Sequence, residues 1–400
     1  METLRERYWR GNKREKGAIL DEWLRNTGEN RKYAIKKFRY KVKLKPQDHR
    51  KIRTRIYGKD VEETLIKVWE IFDRPCGQRL VSSLEQEFLR LMSFGEISCS
   101  DSVREKMLRI SSASIDRHLR NKKKGCLSLR QAIERNPLLT HRIPVKVSAE
   151  FDREKIGYTQ IDFVEHGGSS AAGTYINSLN VTDAASGWTE LEAVMGKGQE
   201  AAFKGLLLIK DRLPFPLLGI HPDNQNSLLN YHMAEFCEEE KIEFTRSRPY
   251  RKNDNCFVEQ KNYTHVRREV GYLRYESEDE QSLLNDLYRH ELRLYKNYFE
   301  PVIKLKSKER VGGKIKKKYF KALTPYHYLL NDPGISAEIK AKMRLAYQSL
   351  NPAELKRAID RKLDALYALY RKDHSEAPNF IKKHVPAVST LKSRFGVIVK

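Results

Sequence analysis

Three carboxylates fall at places where an acid invites explanation. Asp162 lies inside YTQIDFVE, residues 158 to 165, an alternating run in which a charge is unfavourable unless something pairs with it. Asp223 follows directly on a short apolar stretch, in the loop HPDN. Glu259 follows with thirty-five residues between, in NDNCFVEQKN, about one turn into a segment opened by the turn signal Asn253-Asp254-Asn255. Each alone has an ordinary reading: a salt-bridged strand residue, a helix cap, a glutamate favoured by the dipole of a first helical turn. Together they make a poor core but a good binding set for hard divalent cations. Magnesium takes oxygen ligands and leaves room for waters and substrate phosphates. A pair of such ions roughly 4 Å apart activates an attacking oxygen and stabilises a leaving one in an in-line phosphoryl displacement.

The segment between residues 156 and 275 supplies elements to position these acids. Alternation over 158–165, 174–182 and 188–194, with Gly, Ser and Ala turns between, predicts three adjacent strands. A helix over 199–212, a short apolar strand over 216–220, a helix over about 227–240 and a strand over 242–245 follow, before the Glu259 helix. Adjacent strands followed by alternating helix and strand describe a mixed sheet flanked by helices, an α/β architecture. Asp162 is then a strand acid, Asp223 a loop acid and Glu259 a helical acid. Other carboxylates fit less well: Glu165 points to the sheet face opposite Asp162, Asp183 sits at a turn and Asp254 caps a helix.

Four hundred residues with 40% hydrophobic content build several domains with real cores, and a formal charge of +24 makes a polyanion the expected partner. The first fifty residues carry sixteen Lys and Arg against seven Asp and Glu. Ile19, Leu20, Trp23 and Leu24 share one helical face, Thr27-Gly28 breaks the run, and Tyr33, Ala34, Ile35 and Phe38 resume it. The pattern is helix, glycine turn, helix, with Arg31, Lys32, Lys36 and Lys37 on the outer side of the second element, as a helix-turn-helix presents to DNA. Helices are expected over 61–72 and 80–92, and a second helical hairpin over 101–109 and 113–120. The domain reading is a helical DNA-binding region over 1–125, a linker over 126–155, the α/β core over 156–275 and a basic, mainly helical region over 276–400. In that last region a helix over 279–299 and two more over 336–350 and 351–370 flank residues 301–321, which hold nine Lys and Arg against one Glu. The cysteines Cys76, Cys99, Cys126, Cys237 and Cys256 show no paired spacing, which points to free thiols in a reducing cytoplasm and away from zinc or disulfides. No apolar stretch is long enough to span a bilayer, and the charged start lacks the pattern of a signal peptide, so no membrane partner is expected.

Asp162, Asp223 and Glu259 at this spacing, with FTRSRPYRKNDNCFVEQKNYTHVRREVGY over 244–272, resemble the catalytic core of DDE transposases and retroviral-type integrases. YTQIDFVEHGG, LNVTDAASGWTE and LPFPLLGIHPDN fit the same core, and the resemblance is closer to bacterial insertion-sequence transposases. It implies an RNase H-like fold, two catalytic Mg2+ or Mn2+ ions held by the three acids, and 3′-end cleavage and strand transfer of a mobile element. It further implies homo-oligomers on double-stranded element ends and target DNA, at the nucleoid in the bacterial cytoplasm. Beside such a site, Arg246, Arg248, Arg251 and Lys252 before the Glu259 helix, and Lys261, Arg267 and Arg268 along it, are expected to hold DNA phosphates. Lys261, about 200° around the helix from Glu259, is expected to reach flanking DNA. One stretch departs from the family pattern: where it continues after Asp-Asn with Gly and then an acid and a phenylalanine, this chain has Gln225, Asn226, Ser227, Leu228 and Leu229. The alternative is therefore a catalytically impaired, transposase-derived DNA-binding protein.

Overall fold

The computed structural model describes residues 2–40, 56–123, 152, 154–170, 172–223, 227–247, 255–311 and 314–373. The chain divides into two compact units, Met1–Ile56 and Tyr57–Lys400. The first holds α1 (Glu2–Arg10), α2 (Lys13–Thr27) and α3 (Arg31–Arg39). Asn12 and Glu15 form a capping box at the start of α2, Gly28 ends it in the left-handed region at φ 67°, and the Asn30 side chain caps α3. Tyr8, Ile19, Leu20, Ala34 and Phe38 form the buried core of this unit. The expected turn between two helices is present, and α1 adds a third helix that the charged first residues do not announce.

The second unit begins with four helices, α4 (Lys59–Ile71), α5 (Gly77–Ser93), α6 (Asp101–Arg109) and α7 (Ser112–Lys123). A mixed sheet follows: β1 (Tyr158–Glu165), β2 (Ile176–Asp183), β3 (Thr189–Met195), then α8 (Gln199–Lys210), β4 (Gly219–Pro222), α9 (Tyr231–Glu239) and the short β5 (Glu243–Phe244). The strand order is β3-β2-β1-β4-β5. β1, β2 and β3 are antiparallel neighbours, whereas β4 runs parallel to β1 and β5 parallel to β4. Beyond the sheet, α10 (Cys256–Lys261) continues through a π-turn, Asn262–Arg267, into α11 (Arg268–Val270), which stops at Gly271. α12 (Glu278–Leu287) runs through a second π-turn, Tyr288–Leu292, into α13 (Arg293–Phe299). Last come a two-stranded ribbon, β6 (Leu305–Val311) and β7 (Lys314–Tyr319), and the helices α14 (Pro325–Asn331), α15 (Ala337–Ser349) and α16 (Pro352–Asp373). The C-terminal region is thus mostly helical, with a basic ribbon where the sequence reading has only a charged interruption.

Alternation along β1 assigns its two faces to different layers. Ile161 and Phe163 bury with Leu179, Val181, Leu206, Ile209 and Met233 under α8 and α9. Val164, Ile176, Trp188 and Leu191 bury on the other side, in a larger core that joins α4 to α7 with α12 to α16. Helices between 59 and 123 therefore share a core with the sheet, and the break in compactness falls at 56/57. The expected buried stripe Leu355, Ile359, Leu363, Leu366 and Tyr370 is buried on α16, whose first turn is capped by Asn351 at 3.0 Å from the Ala353 amide. Most of the expected 126–155 linker, the 248–254 loop and everything after 373 lie outside the described residues.

Candidate active site

Asp162 sits on β1, the central strand, on the face that α10 covers. The parallel register pairs Ile161 with Pro222, so Asp162 and Asp223 are the next residues along two neighbouring strands. One oxygen of Asp162 accepts from the Phe163 amide and the other from Asn262 Nδ2, both at 2.8 Å. Burial, then the Asp223 carboxylate, and more weakly Glu259, push the Asp162 carboxyl up to about 7 from an ordinary 3.8. Asp223 accepts from Ser247 Oγ at 3.1 Å, and Glu259 is exposed on α10. The Asp223 and Glu259 carboxylates both act on the Asp162 charge, Asp223 more strongly than Glu259. Among the described residues, however, no group of three or more His, Cys, Asp or Glu is arranged to hold a metal ion.

Other side chains fix this arrangement. Gln160, two residues before Asp162 on the same strand face, accepts from the Phe257 and Val258 amides at 3.0 and 3.2 Å. These are unpaired first-turn donors of α10, so a buried β1 side chain caps the helix that carries Glu259. Asn255 stands at the cap position but makes no side-chain cap bond, while Asn253 and the expected cap Asp254 lie outside the described residues. Asn262 is held in turn by Asn180 Nδ2 at 2.7 Å, and Asn180 accepts from Thr182 Oγ1 at 2.9 Å. Asn180 is the cross-strand partner of Asp162. A polar relay therefore runs from the sheet through the start of the π-turn to one Asp162 oxygen, and such turns recur at functional sites. The sequence offered one signal for these residues: Gln160 and Asp162 share a strand face by period two.

Replacing Gln160 with Ala should remove both acceptor contacts to the first turn of α10, at a cost of about 1–3 kcal/mol. Hydrogen exchange should find α10 losing protection more than β2 or β3. Equal protection in the variant and the parent would show that Gln160 does not hold the helix.

Several of the basic residues expected at DNA make contacts within the protein. Glu259 faces solvent, so the opposite side of α10 faces inward, and Lys261 is only 6% exposed, with Nζ 3.3 Å from His265 Nε2. Burial brings its ammonium down to about 7, as expected of a lysine turned into the protein. Arg246 is buried too; Arg267 donates to the Glu165 carbonyl at 2.6 Å, and Arg268 pairs with Asp73 at 2.9 Å. Arg268 is nonetheless exposed and Arg267 half-buried. Arg248, Arg251 and Lys252 lie outside the described residues. On α3, Lys32 and Lys36 are exposed, while Arg31 pairs with Asp21 and Lys37 with Glu29. Of the departing stretch, Leu228 and Leu229 are buried, Leu228 in the core beneath α8 and α9, whereas Gln225 lies outside the described residues.

Farther along the chain is a buried charge cluster that sequence reasoning missed. Lys296 on α13 is 2% exposed and lies 2.7 Å from both Glu269 on α11 and Glu300, with Asp73 at 3.8 Å. Lys356 of α16 also reaches Asp73, at 3.8 Å. Burial opposes the Lys296 charge, but the surrounding carboxylates outweigh it and hold the ammonium well above its ordinary range. The helix that begins at the Glu259 segment is thereby pinned at its far end to α4, α13 and α16.

The second unit is thus a five-stranded mixed sheet between helices, with Asp162 on its central strand and Asp223 just past the neighbouring β4. The chain belongs to the family of the uncharacterized protein y4rM of Sinorhizobium fredii (strain NBRC 101917 / NGR234), with which it is 34% identical over 332 residues, 81% of this chain and 92% of that protein. No protein-family model matches it. Over 43% of its length it is similar to the crystal structure of the catalytic core domain of BIV integrase in crystal form I, covering 91% of that chain at 14% identity and a TM-score of 0.27. Among the described residues no helix is long and apolar enough to cross a membrane.

Proposed function

We propose that the protein is a DNA transposase whose Tyr57–Lys400 unit carries an RNase H-like centre for 3′-end cleavage and strand transfer. The observation that carries this reading is the adjacency of Asp162 and Asp223 across β1 and β4, with Glu259 on the helix that β1 itself caps. Antiparallel β1, β2 and β3 beside parallel β4 and β5 match the sheet that the resemblance of the 156–275 motifs implies. The charge of +24 suits a phosphodiester polymer as substrate.

The donor set fits a hard cation: two like charges whose crowding keeps Asp162 partly protonated are relieved by a dication, and Glu259 offers a third oxygen ligand. Bound there, Mg2+ or Mn2+ would supply charge stabilisation for in-line displacement at phosphorus. Asp162, Asp223 and Glu259 would hold it; Asn262 and the Phe163 amide aim the Asp162 oxygens, and Ser247 aims Asp223. Exposed Lys32 and Lys36 of the first unit are the candidates for binding element ends, in a homo-oligomer on DNA in the cytoplasm.

The second reading, a transposase-derived DNA-binding protein without catalysis, is favoured by the Gln225 departure and by the three acids not forming a chelating group as they stand. One experiment separates the two. Labelled duplexes from the genomic DNA on either side of the gene, incubated with protein and Mg2+ or Mn2+, should give 3′-end nicks and then joined products. Binding of the same duplexes with neither cleavage nor joining under either cation would reject the catalytic reading.

A further inference from the structure

Among the described residues the ribbon of β6 and β7 pairs with no other strand, and a two-stranded ribbon is marginal in water by itself. Its composition makes it less stable still. Lys308 stands directly opposite Lys317, and like charges across a strand pair repel. Lys308, Arg310 and Lys317 share one face; Lys316 and Lys318 share the other with Glu309, the lone acid on the ribbon. All these side chains are exposed, and among the described residues none of the five cations forms an ion pair.

The stem, by contrast, is fixed. Ser82 of α5 donates to the Ala322 carbonyl at 2.6 Å, Lys321 pairs with Glu85, the Phe320 amide donates to Lys304 at 2.9 Å, and Val302 bridges Leu323. A rooted blade with net positive charge on both faces is built for a polyanion that surrounds it.

We propose that the ribbon is a second nucleic-acid contact of this protein, an arm that lies in a groove of duplex DNA with its lysines on the flanking phosphates. A two-stranded ribbon fits the major groove, roughly 12 Å wide, and phosphates on both walls match cations on both ribbon faces. An anionic membrane surface is the poorer partner. Membrane-surface elements segregate apolar from charged faces, whereas Ile315 and Tyr319 alternate with Lys317 on one strand face. The proposal rests on the DNA reading above for the identity of the polyanion, but it asks nothing of the acidic centre.

The test compares the full-length protein with a variant carrying Lys308→Gln, Arg310→Gln, Lys317→Gln and Lys318→Gln, on a random-sequence duplex over a range of salt. Each lost phosphate contact lowers the slope of log affinity against log salt by about 0.9, so loss of two or more should lower it by roughly 2 and weaken binding ~30-fold near 0.15 M salt. A second variant with Lys308, Lys317 and Lys318 changed to Arg keeps the charge and should bind as the parent does. Parent-like slope and affinity in the glutamine variant would overturn the arm while leaving the transposase reading intact. Failure of the parent itself to bind any duplex would overturn both. Anionic phosphatidylserine vesicles serve as the competing arm: vesicle binding lost by the glutamine variant, with duplex binding unchanged, overturns the proposal in favour of a membrane contact.

Discussion

Asp162→Asn should yield a protein that is more stable than the parent at pH 8 and joins no DNA. The stability half follows from the raised carboxyl. Between the ordinary value of 3.8 and the folded value of about 7, the folded chain holds a proton that the unfolded chain has released. Parent stability therefore falls as pH rises through that window, and an uncharged asparagine does not share the fall. The full gap is worth at most about 4 kcal/mol at ~1.4 kcal/mol per pH unit. Partial exposure of the group, and an amide that can accept only one of the two bonds from Phe163 and Asn262, reduce the expected gain to about 1–2 kcal/mol. Urea unfolding at pH 4 and pH 8 measures it: the two proteins should converge at the lower pH and separate at the higher.

The catalytic half follows from the same charge. Without it the centre loses a cation ligand, and strand joining should fall by about 1,000-fold or more. Added Mg2+ should stabilise the parent increasingly with pH, because it competes with the Asp162 proton, and should leave the variant unmoved. Glu259→Gln is the control: Glu259 is exposed, so joining should be lost with no gain in stability. An Asp162→Asn protein that still joins ends, or whose stability follows the parent's pH dependence, would end the assignment of Asp162 as a crowded metal ligand.

The second large effect is expected at Lys296. Exchanging it for methionine keeps the volume but strands Glu269, Glu300 and Asp73 together in the interior, and breaking a buried ion pair from one side costs about 3–5 kcal/mol. The pH response should invert. In the parent, Lys296 depresses Glu269, which contributes stability above the ordinary glutamate range and loses it as pH falls. In the variant, burial and repulsion raise the acids, so acidification to about pH 5 should restore part of the loss. Adding Glu269→Gln to Lys296→Met should recover stability at neutral pH. A methionine variant as stable as the parent at pH 7.5 would show that the cluster is better hydrated than its burial implies.

The sequence made the sheet legible because each strand carries its own alternation and each turn its own glycine or asparagine. It also located the acids, since Asp162, Asp223 and Glu259 each occupy an element whose type could be read locally. Hidden from it were contacts between elements. Gln160 caps a helix almost a hundred residues away, and nothing near either partner reports it. Lys261 and Arg246 carry charge on segments that look like solvated surface, and only tertiary packing buries them. The ribbon escaped because lysine after lysine replaces the apolar alternation by which a strand is recognised.

The π-turn after Glu259 has a consequence for divergence within the family. Each such turn absorbs one residue beyond regular helical spacing, rotating everything downstream by roughly 100° relative to everything upstream. The aim of the acid and the seating of the Lys296 cluster are thus phased separately along one rod, like two keys cut on the same shaft. A lineage could gain or lose a residue between them and retain either function only by re-cutting the other, which gives the interval 262–267 an evolutionary stiffness that its ordinary-looking side chains do not advertise.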